Sequence, residues 1–236
     1  MIKKLIFVAL ISSVVAISAY AADDAGIQNT LTEQEQKEGW QLLFNGKDLS
    51  GWAGYKADAV PECWEVKAGE LLRNGGDGGD IITANQFGDF ELKLEWKIPP
   101  KGNSGIFVRV QKGAKKSWGT AIEMQVLDNV AGKKAKPQEL HSAGACYGLY
   151  PTDLKAFKGA DKWNKVHIKV EGKHYQYWFN DVKIADFVVG SDDWNARYNK
   201  SKFKKYQDFA KAESGYIGLQ SHGGKVYYRN IKLKKL

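Results

Sequence analysis

From Phe90 to Ile98 the chain alternates without a break: Phe90, Leu92, Leu94, Trp96 and Ile98 are apolar, and Glu91, Lys93, Glu95 and Lys97 are charged. A period of two puts the first set on one face of a strand and the second on the other, as in an antiparallel strand with one face in a core. The same period recurs over 121–127, 166–171, 174–179, 215–220 and 226–233. Glu171-Gly172-Lys173 and Asn180-Asp181 are turn sequences, so Val166 to Phe187 reads as a three-stranded meander. One helix start is legible, where Thr32 and Glu35 are spaced as a capping box and Gly39 supplies the stop. Many short strands, glycine-rich turns and one short N-terminal helix predict an all-β sandwich of two antiparallel sheets. Ser191 to Lys211, rich in Trp, Tyr and Lys, is expected to be one long ordered loop.

The first residues carry a different signal. Lys3 and Lys4 precede an apolar run from Leu5 to about Ile17, and Ala19-Tyr20-Ala21 supplies small residues at a cleavage position. That pattern predicts a signal peptide over 1–21 and one domain over 22–236. The apolar run is short for a bilayer span and Asp23 and Asp24 follow at once, so no stable membrane insertion is expected after cleavage. The cleavage position has no cysteine to carry a lipid, and the mature protein is expected in the periplasm or outside the cell. The formal net charge is +8, and removing a leader that holds Lys3, Lys4 and no acid leaves +6. This excess is scattered over short clusters, among them KGAKK (112–116), GKKAK (132–136) and KSKFKK (200–205), which argues against a nucleic-acid partner. Cys63 and Cys146 can pair in an oxidising compartment, but their separation along the chain does not decide whether they meet. They lack the close spacing of a zinc site.

Chemistry enters at GNSGIFVR (102–109), a turn followed by a strand that ends on a cation. If the alternation continues, Phe107 and Arg109 share a face and the guanidinium needs a partner. The strand at 121–127 offers one, because Ile122, Met124 and Val126 take one face and Glu123 and Gln125 the other. Glu123 is the expected bidentate partner of Arg109, against the plainer reading of a solvated polar face. His141 in HSAGACYG and His222 in LQSHGG stand among small residues that allow close approach of a ligand, and each can equally be a structural loop histidine. His167 and His174 fall on the polar faces of surface strands. Asp77-Gly-Gly-Asp80 lacks the spaced ligands of a calcium loop and reads as a polar turn. Trp64, Trp96 and Trp163 fit a core, whereas Trp118, Trp194 and Tyr198 lie where a ring can stack on a sugar.

The segments GWQLLFNGKDLSGW (39–52), WEVKAGELL (64–72), FGDFELKLEWKI (87–98), GNSGIFVR (102–109), EMQVLD (123–128), AGACYGLYP (143–151), SKF (201–203) and GYIGLQSHGGKVYYRNIKL (215–233) together resemble the 3-keto-disaccharide hydrolase family. The resemblance spans nearly the whole mature chain in order. It implies a concanavalin A-like jelly roll whose concave sheet carries the site. This chain departs from the family pattern at Ser221, where LQDHG is frequent, and at Cys146, where an aliphatic residue is common.

The implied chemistry is glycosidic cleavage next to a ketone. A carbonyl at C3 acidifies the C2 proton, so the group on C1 can leave by β-elimination, and adding water to the resulting 3-keto-2-hydroxyglucal runs related steps in reverse. Such a site needs a base, a cation or donors for the enolate oxygen, and an acid for the departing oxygen. At the matching motifs the resemblance assigns proton transfer to Glu123 and His222, charge stabilisation to Arg109 and Lys202, and substrate positioning to Asn103, Gln125, His141 and Gln220. A divalent metal as electrophile would draw its ligands from the same set. Two other readings remain open, a non-catalytic carbohydrate-binding module and a two-carboxylate glycosidase, the latter disfavoured because Gln125 stands where a second acid would help.

Overall fold

The computed structural model describes residues 28–129 and 139–236, so the expected signal peptide and the GKKAK cluster lie outside the described residues. The strands are β1 (Trp40–Leu42), β2 (Trp52–Gly54), β3 (Trp64–Lys67), β4 (Glu70–Asn74), β5 (Ile81–Thr83), β6 (Phe90–Lys97), β7 (Asn103–Val110), β8 (Ile122–Leu127), β9 (Asn164–Glu171), β10 (His174–Phe179), β11 (Val182–Val188), β12 (Tyr216–Leu219) and β13 (Lys225–Lys235). They form an eight-stranded sheet, in the order β11-β10-β9-β6-β13-β4-β3 with β1 also on β13, and a five-stranded sheet in the order β2-β5-β12-β7-β8. The fold is the expected all-β sandwich.

Alternation does what the sequence dictates in β6. Phe90, Leu92, Leu94, Trp96 and Ile98 are buried, and they face β9, β10 and the inner side of the small sheet in one continuous core. The small sheet contributes Ile106, Val108, Ile122, Met124, Val126, Ile217 and Leu219. Each such side chain removed from water contributes about 1.5–3 kcal/mol, which offsets the ordering of its residue. The meander is present as β9-β10-β11, with turns at Gly172 and at Asn180 and Asp181. The small sheet has apolar residues on its outer side too. Tyr55, Ile82, Phe107, Val110 and Ala121 form a second cluster there, covered by Trp118 and Tyr216.

The helices are α1 (Glu33–Lys37) and α2 (Asp192–Lys200). In α1 the capping box of Thr32 and Glu35 is formed. The expected long loop over 191–211 instead begins with α2, capped by the Ser191 hydroxyl on Trp194 N. Asp192 and Asp193 in its first turn and Arg197 and Lys200 in its last suit the helix dipole. Its single buried residue, Trp194, leaves no apolar stripe for periodicity to reveal. Trp194 is therefore core, stacked on Phe187, and Trp163 lies half-buried on the outer face beneath Arg229 and Lys97. Cys63 and Cys146 are both buried and unpaired.

Candidate active site

The polar residues of β7 and β8 meet on the outer side of the small sheet. Pairing sets Gly105 opposite Gln125, Phe107 opposite Glu123 and Asn103 opposite Leu127. Gly105 leaves the space that the Glu123 side chain occupies, because a methyl group at Gly105 would overlap Glu123 Oε1. On the next strand, Gln220 continues the outer row of Tyr216 and Gly218, and its backbone N donates to Gly105 O at 2.9 Å. Beyond β8 the chain from Gly144 to Tyr147 adds a further edge, with Tyr147 N donating to Glu123 O at 3.0 Å. Asn103, Gln125, Glu123 and Gln220 are thus neighbours on one surface, as expected.

Glu123 is 7% exposed, and among the described residues no group donates a hydrogen bond to its carboxyl. Burial pushes its pKa up to about 8, against the pull of the Lys202 ammonium and with a small push from Asp80. Two further buried atoms beside it have no partner, Asn103 Oδ1 and Gln125 Oε1. A folded protein rarely leaves such acceptors bare, and these two beside the Glu123 carboxyl mark a place where hydroxyl groups of a ligand would donate.

Lys202 and His141 complete the group. Lys202 Nζ lies 4.3 Å from the Tyr147 ring centre, 5.1 Å from that of Phe203 and 5.2 Å from that of Trp118. Among the described residues it has no carboxylate within 4.0 Å, so rings rather than an ion pair hold it. Partial burial lowers its pKa, opposed by Glu123 and aided by Lys205. His141 packs edge-on to Tyr147 at 4.8 Å, and burial followed by the Lys202 charge lowers its pKa. Tyr147, whose hydroxyl burial pushes upward, and Asp80 are the site residues that sequence reasoning missed. Tyr147 lies in the AGACYG segment, where the run of small residues was the available signal. Asp80 closes the DGGD turn, and its carboxylate accepts from Ser117 Oγ and from Ser221 N.

Two expected members stand elsewhere. Arg109 does not reach Glu123, because a β-bulge at the end of β7 gives it a left-handed φ of 58° and breaks the alternation between Phe107 and Val110. Its guanidinium crosses between the sheets to Asp89 Oδ1 at 2.9 Å, Gly88 O at 2.9 Å, Gly172 O at 2.7 Å and Tyr175 OH at 3.2 Å. That network makes it a structural tie. His222 is exposed in the loop after β12, and among the described residues no hydrogen bond or ion pair joins it to Glu123. At the neighbouring Ser221 the hydroxyl accepts from the buried Arg73 Nε at 2.9 Å, so this loop has an acid beside it in Asp80 even though position 221 is not one. His167 and His174 are paired on the surface, with Glu91 and Asp186.

A cleft of about 380 Å³ on the outer face of the large sheet is separate from this group. Two of its three acids are committed, Glu35 to Lys232 and Glu95 to Arg229 and Asn230, while Asp181 is exposed in the β10–β11 turn, so its chemistry is mainly that of a surface ion-pair lattice. Among the described residues no three His, Cys, Asp or Glu side chains converge as metal ligands would.

The model of the 3-keto-alpha-glucoside-1,2-lyase-like domain matches residues 39–234. The chain belongs to that family. It is therefore an enzyme of the 3-keto-glycoside hydrolase and lyase class. A 3-keto-disaccharide hydrolase of Bacteroides thetaiotaomicron is 31% identical over 252 aligned positions, covering 94% of this chain and 87% of that protein. A candidate glycosyl hydrolase of Parabacteroides distasonis, known from its crystal structure, superposes with a TM-score of 0.83 at 32% identity, covering 89% of this chain and 100% of that one. A second candidate glycosyl hydrolase from the same organism gives a TM-score of 0.67 at 26% identity, covering 84% and 99%.

Proposed function

We propose that this family member acts on 3-keto-glycosides in the periplasm or outside the cell, cleaving the glycosidic bond by β-elimination and adding water to the 3-keto-2-hydroxyglucal that results. The observation that carries this reading is the buried Glu123 carboxyl, undonated and flanked by the bare acceptors Asn103 Oδ1 and Gln125 Oε1. A carboxyl whose ionisation is held near neutrality can take the C2 proton as carboxylate and return it as acid to the departing C1 oxygen. Asn103, Gln125, Gln220 and His141 hold the sugar hydroxyls, and Lys202 meets the C3 carbonyl. His222, exposed in the loop after β12, is not among these groups. Trp118, beside Lys202, offers a ring on which the sugar can stack.

Incubating the protein with a 3-keto-glucoside and, separately, with the unoxidised parent tests the reading. Release of aglycone from the keto form alone, with an enone absorbing in the ultraviolet and then decaying, is expected. Release from the parent would replace elimination by ordinary glycosidase chemistry, and tight binding without release would leave a binding module. Mass spectrometry of periplasmic or secreted material should find a chain that begins at or near Ala22. A full-length chain in the membrane fraction would overturn export.

A further inference from the structure

Among the described residues, Lys202 is the cation whose charge acts on Glu123, and its setting is not that of a typical charge stabiliser. Three rings hold the Nζ, none of its hydrogens is committed to a carboxylate within 4.0 Å among the described residues, and the residue is exposed to an incoming molecule. The substrate class of the family carries a ketone. A positioned primary amine, a ketone and a neighbouring carboxyl able to cycle its proton are the components of imine formation.

We infer that Lys202 acts as a covalent catalyst, its Nζ condensing with the C3 carbonyl of a 3-keto-glycoside to form an iminium ion from which elimination proceeds. The inference rests on the 3-keto-glycoside reading and specifies the contact between Lys202 and C3. The Lys202 ammonium first passes a proton to the Glu123 carboxylate through one bridging water, since the two groups lie beyond direct contact. The free Nζ electron pair then adds to C3 while the carbonyl π pair moves to oxygen. A proton passes from nitrogen to that oxygen, the Glu123 carboxyl supplies a second, and the C3–O bond breaks to release water and leave C3=N⁺. Glu123, again a carboxylate, takes the C2 proton; the C2–H pair forms C2=C3 and the C=N π pair returns to nitrogen. In the last step the nitrogen pair re-forms C3=N⁺, the C2=C3 pair moves to C1=C2, the C1–O bond breaks, and Glu123 returns its proton to the aglycone oxygen. Water hydrolyses the unsaturated iminium to the 3-keto-2-hydroxyglucal and restores the Lys202 ammonium. No oxidant, reductant or metal enters the balance. An iminium acidifies C2 more than a ketone does, which is what a site with a single bare carboxyl as base requires. The lowered pKa of Lys202, caused first by burial, favours the free amine that addition needs.

Borodeuteride trapping tests this on the whole protein. The protein is mixed with a 3-keto-glucoside, reduced at once, digested and sequenced by mass spectrometry. A deuterium-bearing sugar adduct on Lys202 is expected, formed only when reductant and keto substrate are both present and absent with the unoxidised parent. Lys202→Arg keeps a cation among the rings but cannot form an imine; it should lose the adduct and at least a hundredfold in kcat, whereas Lys204→Arg should keep both. An unlabelled wild type together with an active Lys202→Arg would overturn covalent catalysis and leave elimination with a purely electrostatic lysine. An adduct that forms without reductant would be conjugate addition of the amine to the enone, and would also overturn it. If wild type does not turn over any 3-keto-glucoside, the underlying reading fails, and that result is distinct from the other two.

Discussion

Gly105 and Glu123 show how little sequence separates a floor from a reactive group. The missing side chain of Gly105 is what lets the Glu123 carboxyl lie across the strand pair. Gly105→Ala should displace the carboxylate end rather than the backbone, so turnover of a 3-keto-glucoside should fall at least tenfold with a near-native melting curve. For Glu123 itself, Glu123→Gln is nearly isosteric and should lower kcat by roughly a hundredfold to ten-thousandfold, as loss of a general base does. The same variant should be more stable than wild type. The folded protein keeps a proton on Glu123 up to about 8 that the unfolded chain releases near 4.5, so stability is lost as pH rises between those values. The gain in Glu123→Gln should therefore be absent at acid pH, grow across that window and reach on the order of a few kcal/mol above it, which melts at several pH values would measure. With Glu123 as base, kcat/KM of wild type should show a rising limb near the same value. An unchanged turnover in Glu123→Gln would remove the residue from the chemistry.

At the scale of elements, the strands were legible and the helix at 192–200 was not. Strict alternation in β6, β9 and β10 follows from one buried face, and their ends agree with the pattern to within two residues. The α2 segment buries Trp194 alone, so its formation depends on its ends more than on its faces. Ser191→Ala removes the hydroxyl that accepts from Trp194 N and should cost about 1 kcal/mol, read as a lowered denaturation midpoint. Because Lys202 follows α2 by two residues, the same change should also weaken substrate binding. The site was legible in part for a related reason. Glu123, Gln125 and Asn103 sit on strands, and Gln220 directly after one, whose faces can be read from period two, and the structure brings their backbones together. Arg109 could not be placed that way, since one extra residue in β7 reverses a side chain without any mark in the hydrophobic pattern. Tyr147, Asp80 and the ring cage of Lys202 come from loops whose paths alternation does not encode.

For the whole molecule, Arg109 joins the end of the small sheet to Tyr175 and to the β9–β10 turn of the large one. Its removal leaves the half-buried Gly88 carbonyl without its donor and Asp89 without its ion-pair partner. Arg109→Met should cost about 3 kcal/mol in a denaturant melt, while the fraction that stays folded turns over a 3-keto-glucoside at the wild-type rate. A large fall in kcat without loss of stability would return Arg109 to the chemistry.

The second apolar cluster, on the outer side of the small sheet, has a consequence for how the reaction is insulated. Phe107, the direct cross-strand neighbour of Glu123, is sealed beneath Trp118 and Tyr216, so the carboxyl rests at the shoreline between a dry patch and open solvent. Trp118 belongs both to that seal and to the rings around Lys202. One indole therefore borders both the apolar patch next to the carboxyl and the amine. A sugar sliding over it would extend the dry patch from the already buried acid across the amine, so that the amine leaves bulk water only when there is something between the two groups to transform.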